Sequence, residues 1–215
     1  MALEDYDEHE QSERVLQWLR ENAAAIAGGI VLGLLLIFGL QQWRTHQAQH
    51  RADASGLYQQ LQQADATKDQ KAIDSLTMQL QDKYKDTPFA VFSAFDQARR
   101  ALAAGKPEQA VTALNWAEAH AGDAALKSLA QLRIATAQLA AGKADASLAT
   151  LAKLPATDYS GMAQELRGDA LVKLKRNAEA LKAYTTALAS YDVGMPQRNL
   201  LQLKIDNLTT AEQKS

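Results

Sequence analysis

Two spacings of apolar residues divide the chain. From Ala23 to Leu40 the sequence AAAIAGGIVLGLLLIFGL is apolar without interruption and carries no charge. Beyond Trp43 the apolar positions fall three or four apart, in stretches of a dozen or so residues separated by short polar turns. The first spacing predicts a helix surrounded by lipid, and the second predicts amphipathic helices packed on one another. No sustained alternation of period two occurs. Alanine is abundant, and glycine and proline sit mostly at boundaries, so the whole chain is read as all-α.

The 18 residues of the apolar run make roughly 27 Å of helix, about one hydrocarbon core. Ten of them are Ile, Val, Leu or Phe, which favour insertion by roughly 5 kcal/mol, less the cost of four glycines. Trp18 and Trp43 flank the run, where indole rings settle at the lipid–water boundary. A cleaved signal peptide would need a basic start and a small-residue cleavage site close behind the run. Here the start is acidic, and the nearest such site, Ala52-Asp53-Ala54, lies past Arg44 and Arg51. The run is therefore read as a retained anchor. The expected organisation is a tail over residues 1–22, a transmembrane helix over 23–43 and a soluble domain over 44–215.

The tail opens acidic, and its first ten or so residues are expected to be disordered. Val15, Leu16, Trp18 and Leu19 then form an apolar stripe. They suit either a short amphipathic turn on the membrane surface or an early start of the spanning helix. Within the span Ala25, Gly29 and Gly33 share one face. Such a strip allows close approach of a second helix, although small residues are also common in membrane helices generally. Arg14 and Arg20 before the span are matched by Arg44 and Arg51 after it, so charge does not orient the helix.

The soluble part repeats itself. Leu102-Ala103-Ala104-Gly105-Lys106 recurs as Leu139-Ala140-Ala141-Gly142-Lys143, 37 residues on, and a third copy follows at a spacing of 33 with Lys175 in place of the glycine. Seven residues before the turn stand Ala98, Ala135 and Gly168, and five after it Ala110, Ser147 and Ala180. Nine after it are Leu114, Leu151 and Tyr184, and twelve after it Ala117, Leu154 and Ala187. This pattern of small residues on facing helices resembles the tetratricopeptide repeat; an unrelated α-bundle is the alternative. Leu154 departs from the pattern. A degenerate copy is expected at residues 57–85, with Ala72, Ile73 and Leu76 matching the second helix. Hairpins of this kind bury their apolar faces only by stacking, so an α-solenoid follows, with a capping helix from Gln197 to Leu208.

Chemistry is sparse. The net charge is −2, and residues 44–215 are close to neutral, which argues against nucleic acid as a partner. No cysteine is present, and no nucleophile motif, phosphate loop or metal-ligand spacing occurs. His46 and His50 are four apart but lack a third ligand, and Glu165 with Asp169 reads as a solvated helix face. No catalytic residue, metal or cofactor is assigned. Repeats of this type bind proteins along the face made by the first helix of each hairpin. Candidate residues there are Phe92, Arg99, Arg100, Gln131, Gln138, Gln164 and Lys173.

The stretch from Arg14 to Gln47, the string Leu166-Arg167-Gly168-Asp169-Ala170-Leu171 and the ending Lys204-Ile205-Asp206-Asn207-Leu208 together resemble the family of ancillary subunits of the bacterial SecYEG translocon. That resemblance covers essentially the whole chain. It implies a single-pass protein of the bacterial inner membrane, with a cytoplasmic N-terminus and a periplasmic repeat domain. Its implied partners are the SecYEG translocon, a membrane-anchored periplasmic chaperone of the prolyl-isomerase type and unfolded secretory proteins, alongside membrane lipid. The implied role is non-enzymatic: passing emerging secretory proteins to periplasmic chaperones. A membrane-anchored scaffold for another envelope assembly is the competing reading.

Overall fold

The computed structural model describes residues 4–213 and, within them, the side chains of residues 14–25 and 27–210. Nine α-helices and no strand occur among the described residues. They are α1 (Glu4–Thr67), α2 (Gln70–Lys83), α3 (Pro88–Ala103), α4 (Pro107–His120), α5 (Ala124–Ala140), α6 (Ala144–Leu151), α7 (Ser160–Lys173), α8 (Asn177–Ser190) and α9 (Pro196–Gln213). The chain divides into two compact units, Met1–Ala52 and Asp53–Ser215.

In the first unit α1 is already helical at Glu4. Over residues 4–10 this differs from the disorder expected at the start of the chain, and residues 1–3 lie outside the described residues. No glycine or proline interrupts that stretch. The stripe at Val15–Leu19 belongs to the same continuous helix. Among the described residues one helix is long and apolar enough to cross a membrane, within Ala27–Thr67, and none of its apolar window is buried by protein. Ile30, Leu34, Leu35, Ile37 and Phe38 are each more than half exposed, as a lipid-facing surface requires.

The second unit is built from hairpins that share one turn. Gly105 and Gly142 adopt φ values of +69° and +76°, and Lys175 adopts +60° at the equivalent place. The residue after each donates its backbone N–H back across the turn, Lys106 to Ala101 O at 2.9 Å, Lys143 to Gln138 O at 2.9 Å and Arg176 to Leu171 O at 2.9 Å. This is the left-handed helix ending that satisfies orphan carbonyls and starts the return helix. Lys68 repeats it with φ +58° and a bond from Asp69 N to Ala64 O at 3.0 Å. The first hairpin therefore has the same turn, 37 residues before Gly105, with no glycine to announce it. Counted from Lys68, the repeat positions are Leu61, Ile73, Thr77 and Leu80, all buried. Ala72 and Leu76 pack partly buried beside them.

The register of small residues holds. Ala98, Ala135, Ala110, Ser147, Ala180, Ala117 and Ala187 are each at most 2% exposed, and Leu114, Leu151 and Tyr184 fill the space one turn on. Leu154 departs for a simple reason: α6 ends at Leu151, so the twelfth position after Gly142 is no longer helical. The core runs as a succession of clusters. One joins α1, α2 and α3, a second α3, α4 and α5, and a third α7, α8 and α9. Between the last two lies a small cluster of Leu132, Ala135 and Leu151 around the short α6. At the end of the stack α9 packs Leu201 fully buried against α8, with Ile205 and Leu208 beside it.

Candidate functional site

Successive first helices touch: α3 lies against α5, and α5 against α7. They form one face of the stack, and the turn residues index it. Six residues before each turn stand Gln62, Arg99, Thr136 and Asp169; ten before, Tyr58, Phe95, Leu132 and Glu165; thirteen before, Ser55, Phe92, Leu129 and Met162. Two hollows open on this face. One of about 320 Å³ lies between α3 and α5, lined by Phe95, Ala98, Leu102 and Leu114 with Asp96, Arg99, Arg133 and Thr136 around them. The other, of about 290 Å³, lies between α5 and α7, lined by Leu129, Leu132, Met162 and Leu166 with Arg133, Thr136, Glu165 and Asp169. Arg133 and Thr136 wall both.

The face is polar at its two ends. At the first, Asp96 accepts hydrogen bonds from Tyr58 Oη at 2.9 Å and Gln62 Nε2 at 2.6 Å, with Arg99 Nε 3.5 Å away. Arg99 also reaches Asp65 at 2.6 Å, and Arg100 reaches it at 3.4 Å. Burial, reinforced by the bond to Asp96, pushes the Tyr58 hydroxyl up to about 12. Partial burial works against the Asp65 charge, but Arg99 and Arg100 outweigh it and hold the carboxyl below its ordinary value. The Tyr58, Phe89 and Phe92 rings pack here with centroids 5.9–6.2 Å apart, tilted or edge-on as their quadrupoles prefer.

At the far end Lys204 of α9 spans two carboxylates of α7, Glu165 at 3.0 Å and Asp169 at 2.7 Å. Tyr184 Oη donates to Asp169 at 2.6 Å, and the Lys204 ammonium lies 5.4 Å from the Tyr184 ring centre. Burial opposes the Lys204 charge, yet Asp169 and Glu165 raise its pKa overall. Burial and the bond to Asp169 likewise raise Tyr184. Glu165 and Asp169 are thus not the solvated pair expected from sequence; they latch the last helix onto the stack.

Of the sequence candidates, Phe92 and Arg99 stand in these columns. Arg100 turns half-buried toward Asp65 and lines a separate hollow with α2. Gln131 is 8% exposed and donates to Glu118 of α4 at 2.7 Å, while Gln138 accepts from Thr150 of α6 at 2.8 Å. Gln164 lines a hollow shared with α6 and α8, and Lys173 is exposed in the last turn of α7. Leu129, Arg133, Thr136 and Met162 were missed. The fixed offset from the turn residue was the signal that would have found Leu129, Thr136 and Met162. In the anchor Ala25 and Gly29 are exposed and Gly33 half-buried, and a Cβ at Gly29 or Gly33 would meet no atom within 4 Å.

A family model described as a tetratricopeptide repeat-like domain matches residues 16–210. The chain belongs to that family. Relatives of this tetratricopeptide-like protein carry the name ancillary SecYEG translocon subunit. One from Escherichia coli is 28% identical over 208 residues, spanning 96% of this chain and 100% of the relative. One from Haemophilus influenzae is 27% identical, over 94% of this chain and 98% of the relative. One from Neisseria gonorrhoeae is 26% identical, over 83% and 86%. The resemblance drawn from the sequence strings is borne out by these matches. In the structure two of those strings meet, since Asp169 of the first binds Lys204 of the second.

Proposed function

We propose that this tetratricopeptide-like chain is a non-enzymatic partner of the SecYEG translocon, held in the bacterial inner membrane by α1. The observation that carries the reading is the near end-to-end match, anchor and repeats together, to relatives named for that association. In this reading the tail is cytoplasmic and the repeat domain periplasmic. The face of α3, α5 and α7 takes up emerging, unfolded secretory polypeptide and passes it to periplasmic chaperones, among them a membrane-anchored one of the prolyl-isomerase type. A stack of hairpins with apolar hollows along one face suits extended polypeptide better than a small molecule.

The strip Ala25, Gly29 and Gly33 is the proposed contact inside the membrane. Lipid supplies no hydrophobic gain for bringing helices together, so attraction rests on close packing, which small residues permit. Co-purification in mild detergent tests both parts. Translocon subunits should be recovered with the wild type and lost with Gly29→Leu/Gly33→Leu, while a Gly28→Leu/Gly39→Leu control off the strip retains them. Absence of translocon subunits from the wild-type preparation would overturn the proposed function. Equal recovery from both variants would remove the strip from it.

A further inference from the structure

Arg133 sits on α5 between the two hollows, and among the described residues no carboxylate pairs with it. Its guanidinium carbon lies 4.3 Å from the centre of the Phe95 ring. The carboxylates around the hollows are all engaged elsewhere: Asp96 by Tyr58 and Gln62, Glu165 by Lys204, Asp169 by Lys204 and Tyr184. A guanidinium stacked on a ring keeps its edge N–H groups directed outward, in the geometry that grips a carboxylate with two parallel bonds. On either side of it lies an apolar hollow.

We infer that Arg133 makes this face selective: it reads an acidic side chain of an extended polypeptide whose neighbouring apolar side chains fill the two hollows. An extended chain places residues i, i+2 and i+4 on one side over about 13 Å. Packed helices lie about 8–10 Å apart, so one such stretch reaches from the α3–α5 hollow across Arg133 to the α5–α7 hollow. The matching motif is apolar, spacer, acidic, spacer, apolar. The inference rests on the reading that this face holds polypeptide, and adds which polypeptide it prefers.

The test uses the full chain in lipid nanodiscs and fluorescein-labelled short peptides with the core Leu-Ser-Glu-Ser-Leu or Leu-Ser-Gln-Ser-Leu. Fluorescence anisotropy should show the glutamate peptide binding about tenfold or more tightly, the scale of one hydrogen-bonded charge pair. Arg133→Gln should abolish that preference and leave the glutamine peptide unaffected. Arg167→Gln, on the hollow shared by α6, α7 and α8, should preserve it. Equal binding of the two peptides to the wild type, or equal weakening of both by Arg133→Gln, would overturn the inference while leaving the face as a polypeptide site. Binding of neither peptide would overturn the inference together with that reading of the face.

Discussion

Gly168 offers a sharp test of the repeat packing. A Cβ built there would stand 2.3 Å from Tyr184 Cε1 and 2.5 Å from Cδ1, where carbon atoms ordinarily keep about 3.5–4.0 Å. The ring has little freedom to retreat: Tyr184 is 3% exposed and its hydroxyl is bonded to Asp169, which is itself held by Lys204. Gly168→Ala gains about 1 kcal/mol of helix propensity. Against that stand about 1–3 kcal/mol of overpacking and a similar amount if the ring abandons its charged partner. The net expectation is a loss of about 2 kcal/mol, or a melting midpoint about 4–8 °C lower. The other repeats show the remedy, since they pair Ala98 with Leu114 and Ala135 with Leu151 at these positions. Gly168→Ala/Tyr184→Leu should therefore recover part of the loss. Thermal melting of the full chain in detergent, followed by circular dichroism, measures all three proteins. A single variant melting at or above the wild type, or a double variant no better than the single, would refute the packing argument.

Lys68 and Lys175 occupy left-handed turns that glycine holds in the other hairpins, so Lys68→Gly and Lys175→Gly should each raise stability by about 0.5–1 kcal/mol, read as higher melting midpoints; lower midpoints would contradict the shared turn. Lys204 and Tyr184 both have folded-state pKa values above their unfolded ones, so their contribution is complete below pH about 10 and drains away as pH climbs through the folded values. A melting midpoint that falls above that pH in the wild type, and falls less steeply in Lys204→Met, is the expected profile. Asp65 is depressed by Arg99 and Arg100, so its share is present above pH about 4 and lost in stronger acid, a loss that Asp65→Asn should reduce.

The long apolar helix near the N-terminus, the all-helical class and three of the four hairpins were legible because each rests on a local signal. Small residues at fixed offsets from the shared turn, Gly105 in one hairpin and Lys175 in another, placed Ala110 and Ala180 correctly at 0% exposure. The first hairpin blurred because Lys68 stands where glycine would have marked the turn, and because Leu61 and Leu80 are large where small residues occur elsewhere. The face of the first helices was only partly legible. Gln131 looks like a surface residue in sequence, yet it turns inward to Glu118, and the sequence gives no sign of which carboxylate it meets. Glu165 and Asp169 were misjudged for the same reason, since their partner Lys204 lies 39 and 35 residues away.

The brevity of α6 sets how the repeat domain comes apart. In a linear stack each hairpin is held only by its neighbours, so cooperativity is no stronger than the weakest junction. The junction at α6 rests on eight helical residues and a core of Leu132, Ala135 and Leu151. On its far side α7, α8 and α9 carry their own core and their own lysine latch. They are therefore expected to behave as a foldon, opening and reclosing while the hairpins that precede α6 in the chain stay folded. Opening at this joint would part the two walls of the α5–α7 hollow, which α5 and α7 build between them, without the cost of global unfolding.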